Sequence, residues 1–300
     1  MLDKIPQLHT KITPLSQVFN KTWEKITKRT EQPELPIMSL PRFNRLLWGL
    51  HRQKLITIGA RTSQGKTAFA LQVAWDIADQ NHAVYFLSLE QTREALAERL
   101  FCNIMRVNNY NTLRGIVNTP EIQRSKEMFD KIIVDNQLIL TDCIGSTANE
   151  LVEIIESMSL KPTVVVVDYV QTIKKGKSDS REAMDNYMRV FRELAIKHNF
   201  CAINISQINR EAQGSSDPHP QLHHLKGTGV IEEHSDMVLL LHYPLKYDME
   251  NEAIKYDYEI NIAKNRDGRT GVVKCQFLPH YYKFVTLEDT NSHDRQQIFS

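Results

Sequence analysis

Six short apolar, β-branched runs, at 55–58, 83–89, 138–140, 164–167, 201–205 and 237–241, alternate with helix-period segments near 67–80, 93–106, 147–158 and 181–198. A run with no polar alternation is a strand buried on both faces. Strands of that kind joined through helices make a parallel sheet with helices on either side. The end of the chain differs. Runs at 256–263 and 270–277 flank Asp267-Gly268, a turn signal that predicts an antiparallel extension of the sheet. The fold class is therefore α/β, with a central, mostly parallel sheet flanked by helices and a C-terminal antiparallel part.

Thr13-Pro14 reads as a helix start, with Leu15, Val18, Phe19, Trp23 and Ile26 forming one apolar stripe behind it. A polar stretch bounded by Pro33 and Pro36 follows. The expected organisation is an N-terminal arm over 1–35 with an amphipathic linker helix, a single α/β domain over 36–286, and a polar tail over 287–300. A helix this short is marginal alone. It docks either on its own domain or on a neighbouring subunit.

Lys and Arg number 37 against 36 Asp and Glu, a net charge of +1, so bulk charge does not make the chain a nucleic-acid binder and any such contact must be local. No apolar run reaches the length of a membrane span, and the first residues lack the apolar stretch of a secretory signal. The four cysteines are widely spaced without a Cys-x-x-Cys pair. The expectation is a cytoplasmic protein with no membrane partner.

Ser63-Gln64-Gly65-Lys66-Thr67 carries the clearest chemistry. A Gly-Lys-Thr triplet is weak alone, but here a strand run precedes it and a strong helix pattern follows, the setting of a phosphate loop. Successive backbone N–H groups and the helix N-terminus can wrap a polyphosphate. Lys66 would reach the terminal phosphates, and the Thr67 hydroxyl would help hold Mg²⁺. The position of the usual first glycine is Ala60, tolerable if that residue keeps a negative φ. Asp168 ends the run at 164–167 and is either a plain strand end or the second Mg²⁺ partner. Glu90 follows the run at 83–89. It either polarises a water for attack on the γ-phosphate or stabilises the next helix from its N-terminus. Gln207 lies at the same sheet edge, as a γ-phosphate sensor or a turn cap. His219, His223 and His224 read as loop residues.

Together these residues resemble the DnaB-type replicative helicases. Ala60-Arg61-Thr62-Ser63-Gln64-Gly65-Lys66-Thr67-Ala68 is similar to that family's phosphate loop, where alanine-arginine replaces the first glycine. The segment 86–90 is similar to its catalytic-glutamate segment, 167–171 to its Mg²⁺-binding strand, and 206–210 to its γ-phosphate sensor. Lys226, Gly227, Thr228 and Gly229 match its DNA-binding loop, and Lys264 and Arg266 its trans-acting finger. The resemblance implies a RecA-like P-loop ATPase that hydrolyses ATP with Mg²⁺ at subunit interfaces of a hexameric ring. That ring would move 5′–3′ along single-stranded DNA and unwind duplex in replication. Arg61, Ser63, Gly65, Lys66, Thr67, Ala68 and Asp168 would hold the nucleotide. Lys264 and Arg266, two apart on a strand, would point the same way toward the neighbour's γ-phosphate. The alternative for this pair is an exposed basic hairpin face. Lys174 and Lys175 form a second candidate pore segment, or an ordinary solvated loop. Only about a dozen residues precede the linker helix, so the family's helical collar is expected to be absent, which weakens an expectation of primase or loader binding. Two other functions stay open: a DNA-stimulated ATPase that does not unwind, and a non-enzymatic assembly platform on DNA.

Overall fold

A computed structural model describes residues 13–27, 33–173, 180–209, 219–225 and 228–286. The chain divides into two units, Met1–Pro33 and Glu34–Ser300. In the first, helix α1 (Leu15–Thr27) forms where the stripe predicts it. Leu15, Val18, Phe19 and Trp23 are exposed, and the Phe19 and Trp23 rings stack with centroids 6.0 Å apart.

The second unit is built on a nine-stranded sheet in the order β3-β2-β4-β5-β1-β6-β7-β8-β9. The first six in that order run parallel: β3 (Leu138–Asp142), β2 (Val84–Ser88), β4 (Val164–Asp168), β5 (Cys201–Gln207), β1 (Leu55–Ala60) and β6 (Met237–His242). The extension β7 (Asp257–Asn265), β8 (Gly271–Leu278) and β9 (Lys283–Val285) is antiparallel. Asp267-Gly268 lies in the β7–β8 connection, as expected, while β9 gave no separate signal in the sequence.

Strand geometry sends successive side chains to opposite faces, and two apolar cores result. Ile56, Ile58, Phe86, Val164, Val166, Ile203 and Leu239 pack on one face with α2 (Pro41–Leu47) and α3 (Lys66–Ala78). Leu55, Tyr85, Leu87, Val165, Val167, Ala202 and Leu240 pack on the other with α7 (Ala148–Glu156), α8 (Ser180–His198) and α9 (Thr228–His234). Helix α3 is buried along all but its first two residues, so it can keep little mobility and holds its N-terminus in register with the sheet edge. Between β2 and β3 stand α4 (Arg93–Met105), α5 (Asn109–Leu113) and α6 (Pro120–Ile132). Of these the helical period predicts α4 alone. The α6 start carries a legible signature, since Thr119 accepts from Ile122 N–H and Pro120 sits at the first helical position. Its body buries only Ile122, so no apolar stripe marks it.

Candidate nucleotide site

Parallel register sets the site. Ala60 pairs with Gln207, and Ser88 pairs with Asp168, so the C-terminal ends of β1, β5, β2 and β4 form one edge. That edge is where open α/β sheets take ligands. Lys66, Thr67, Glu90, Asp168 and Gln207, chosen from sequence, all issue from it or from the loop above it.

Within the loop the left-handed residues are Ser63, φ 61°, and Gly65, φ 84°. Ala60 is not among them, as its alanine requires. Gly65 has a second constraint: a Cβ there would lie 3.2 Å from Phe284 Cζ and 3.4 Å from Phe277 Cζ. Gly65 is also the N-cap of α3 and supplies no side-chain acceptor. The first N–H groups of α3 therefore have no capping partner from it, which suits an anion. Tyr258 Oη donates to the Gln64 carbonyl from beneath, so the antiparallel extension braces the loop.

Lys66 Nζ donates to the Arg61 carbonyl at 3.0 Å. Burial lowers its pKa from the ordinary value, while Asp168 and Glu90 pull it back up. Thr67 Oγ1 donates to Asp168 Oδ2 at 2.7 Å. Burial pushes the Asp168 carboxyl up to about 6, with Thr67, Lys66 and Arg99 opposing and Glu90 adding to the rise. Glu90 is exposed, just beyond β2. A hydroxyl and a carboxylate in contact are an oxygen-only donor pair, the kind a hard divalent cation takes.

Gln207 Nε2 donates to Thr62 Oγ1 at 2.7 Å, tying β5 to the phosphate loop. Gln171 orients it: its Oε1 accepts from Gln207 N–H at 3.1 Å and its Nε2 donates to Ser206 Oγ at 2.7 Å. Beside them lies a cleft of about 240 Å³ lined by Arg61, Thr62, Gln64, Gln207, Lys246 and Tyr247. Arg61 sits 5.6 Å over the Tyr247 ring, and Gln64 Nε2 donates to its hydroxyl at 3.1 Å. Neither Gln171 nor Tyr247 was singled out from the sequence. Gln171 lies within a motif already noted, but Tyr247 stands in a polar connection with no distinguishing pattern.

Lys264 lies on β7, but the strand ends at Asn265, so Arg266 stands just beyond it rather than two along the same strand. Both turn to the C-terminal end of α9 in their own chain, Lys264 to the Glu232 carbonyl and Arg266 to the Glu233 carbonyl and Asp236. Of the expected DNA-contact residues, Thr228 and Gly229 open α9, and Gly229 is exposed. Lys226, Gly227, Lys174 and Lys175 lie outside the described residues. The His219 ring lies tilted against that of His242, with centroids 4.4 Å apart, and His219 pairs with Glu259 at 3.2 Å, while His223 and His224 sit in a short turn. No group of three potential metal-binding His, Cys, Asp or Glu residues occurs among the described residues. Among them, too, no helix is long and apolar enough to cross a membrane.

A sheet of this order with a glycine-lysine-threonine loop at its C-terminal edge defines a nucleotide-binding P-loop domain of the RecA kind. The chain belongs to the DnaB-like helicase C-terminal domain family, whose model matches residues 38–286. It is 29% identical over 265 residues to the replicative DNA helicase DnaB of Geobacillus stearothermophilus, covering 82% of this chain and 55% of that one. It is 30% identical over 251 residues to the replicative DNA helicase DnaC of Bacillus subtilis (strain 168), with the same coverage, 82% and 55%. The chain thus spans about half the length of the curated relatives it matches. Among solved structures, a DnaB-like replicative helicase described with its interactions with primase superimposes with TM-score 0.85 at 25% identity, over 91% of this chain and 68% of that one. A second solved structure, an ATPase domain, superimposes with TM-score 0.83 at 25% identity, over 92% of this chain and 99% of that one.

Proposed function

We propose that this chain is the motor domain of a replicative DNA helicase, hydrolysing ATP in a cleft that a second copy of the chain completes. The contact that carries the reading is Thr67 Oγ1 to Asp168 Oδ2 at 2.7 Å, which joins two sequence-distant residues under the phosphate loop. Family membership supports the reading.

In this reading the N–H groups of Ser63 to Ala68 cradle the phosphates, and Lys66 leaves the Arg61 carbonyl to meet the terminal ones. Thr67 and Asp168 hold Mg²⁺, which when bound neutralises charge on the phosphate oxygens. Glu90, at the exposed end of β2, accepts a proton from the attacking water. Gln207 moves from Thr62 to the γ-phosphate and reports its loss along β5. Lys264 and Arg266 come from the neighbouring copy and meet the charge that develops in the transition state, an effect worth about 10³–10⁵ in rate where measured elsewhere. Lys226, Gly227, Thr228 and Gly229 meet single-stranded DNA, with Lys174 and Lys175 as a second contact. Backbone N–H groups and lysines on phosphates give attachment without sequence preference.

A ring of six, travelling 5′–3′, is the assembly this family reading implies. The stripe of α1 then docks on the next copy, since an apolar face on a thirteen-residue helix is stable only when covered. A primase or loader is the further partner such a helicase would engage.

A forked-duplex unwinding assay on wild type and Glu90→Gln tests the reading. Wild type should separate strands and hydrolyse ATP, and Glu90→Gln should bind ATP with both activities reduced at least a hundredfold. ATP hydrolysis without strand separation in wild type would instead mark a DNA-stimulated ATPase. Wild-type assembly on DNA without hydrolysis would mark a platform.

A further inference from the structure

Three cations from two separate stretches of chain, the end of β7 and α8, converge on one end of α9. Lys264 Nζ donates to the Glu232 carbonyl, Arg266 Nη2 to the Glu233 carbonyl, and Arg192 Nη1 of α8 to the His234 carbonyl at 2.8 Å. Three consecutive terminal carbonyls are thus engaged by three positive groups. The last carbonyls of a helix have no intrahelical N–H partner and carry the negative end of its dipole, so they attract cations.

Asp236 closes the cluster. Its Oδ1 accepts from Arg192 Nη2 at 2.9 Å and from Arg266 Nη1 at 3.2 Å, and its Oδ2 accepts from Leu55 N–H at 2.9 Å. Its side chain is 5% exposed. The main chain adds Asp236 N–H to the Leu55 carbonyl at 2.8 Å and Arg266 N–H to the Asp236 carbonyl at 2.9 Å. A buried carboxylate shared by two guanidinium groups is balanced only while it is charged, and taking the charge away leaves the cations to repel one another. The β6–β7 pairing assists. Val238 faces Lys264 and Leu239 faces Ile262, so Ala263 is an extra residue, a bulge of the kind that re-aims its neighbours.

We propose that Asp236 is a positioning residue for the trans-acting pair: with the terminal carbonyls of α9 it latches Lys264 and Arg266 against their own protomer, and displacement of α9 releases them toward the next. The inference rests on the reading of Lys264 and Arg266 as that pair. Helix α9 opens with Thr228 and Gly229, two of the proposed DNA contacts, and its seven residues span about 10 Å. A push on its first turn therefore moves the carbonyls at its other end. Engagement of DNA and release of the finger become one motion.

The test is ATP turnover by the full chain, with and without oligo-dT. Asp236→Asn keeps an acceptor for Leu55 N–H and removes the charge. Its DNA-free turnover should rise about tenfold, the scale of one charge-assisted hydrogen bond, with nucleotide affinity unchanged and DNA stimulation reduced by the same factor. Arg192→Gln leaves Asp236 Oδ1 to Arg266 alone and tightens the latch. It should lower DNA-free turnover and raise several-fold the oligo-dT needed for half-stimulation. Opposite signs separate a latch from simple destabilisation, which would lower both. Two changes of the same sign, or an Asp236→Asn protein of wild-type melting temperature with no rise, overturn the proposal. Should Asp236→Asn not fold, Arg192→Gln decides alone, and turnover at or above wild type sinks the latch. Arg266→Ala, run alongside, separates the two levels. Wild-type turnover from it defeats the finger reading, whereas a dead Arg266→Ala beside an unchanged Asp236→Asn defeats only the latch.

Discussion

Asp76 on α3 is buried and Lys283 on β9 half-buried, the two lie within electrostatic reach of each other, and each is shifted against its own ionisation. Burial pushes the Asp76 carboxyl up to about 6, although Ser39 donates to it from N–H at 2.9 Å and from Oγ at 2.6 Å, and Asp79 adds to the rise. Burial lowers Lys283 to about 8, helped by Arg106 and opposed by Asp76. A carboxyl raised from 3.8 binds protons more tightly folded than unfolded. The fold therefore loses stability as pH rises through the window from 3.8 to about 6, and the loss persists above it. Lys283 acts in a separate window, from about 8 to 10.5, where stability instead rises with pH. Asp76→Asn keeps an acceptor for Ser39 and removes the ionisation. A shift of this size corresponds to about 3 kcal/mol at most, part of which is offset by burying the new amide, leaving about 1–2 kcal/mol of stabilisation. Thermal melts should show the variant a few degrees above wild type at pH 7, with the gain shrinking toward pH 4. An equal gain at both pH values would mean that ionisation is not the cause.

At the scale of elements, the phosphate loop rests on the antiparallel extension. Phe277 and Phe284 stack with centroids 4.5 Å apart beneath Gly65, and Phe284 also packs edge-on against Phe69 of α3 at 5.3 Å. Gly65→Ala would force a side chain into left-handed backbone and against those rings, a cost of about 1–2 kcal/mol from the backbone alone. Relief by shifting the loop displaces the N–H groups that open α3. Urea denaturation should report the stability loss, and titration with a fluorescent ATP analogue should show affinity falling at least tenfold. Unchanged affinity would mean that the loop does not hold phosphate through these groups. The brace was hidden in the sequence because β9 has three residues and Gly65 meets Phe284 from 219 positions away. What could be read were the elements with a strong local pattern: the unbroken apolar runs of β4 and β6 and the β-branched run of β1, the helix after Lys66, and the acids at strand ends. The insertion helices α5 and α6 escaped because they bury few apolar residues. Asp236 escaped because an acid entering a strand looks like any strand start until Arg192 and Arg266 are seen beside it.

At the scale of the whole molecule, the proposed cleft needs Lys66 from one copy and Arg266 from the next, so neither mutation alone identifies a shared site. Both Lys66→Ala and Arg266→Ala should be inactive, the first by losing a phosphate ligand and the second with nucleotide bound. In a mixed ring, an interface regains both groups when an Arg266→Ala copy supplies Lys66 and its neighbour is Lys66→Ala. Random assembly of equal amounts gives about a quarter of interfaces that composition, since each position in a cyclic assembly is filled independently. ATP hydrolysis should therefore rise from background to a fraction of wild type, peak near equal amounts, and vanish toward either pure protein. Hydrolysis is the right readout because one repaired interface can turn over without a fully active ring, whereas unwinding requires coordination among neighbours. Mixtures no more active than the separate variants at any ratio would place both groups in one protomer's own cleft. A native mass below a dimer in the presence of ATP and single-stranded DNA would remove the neighbour on which the mechanism depends.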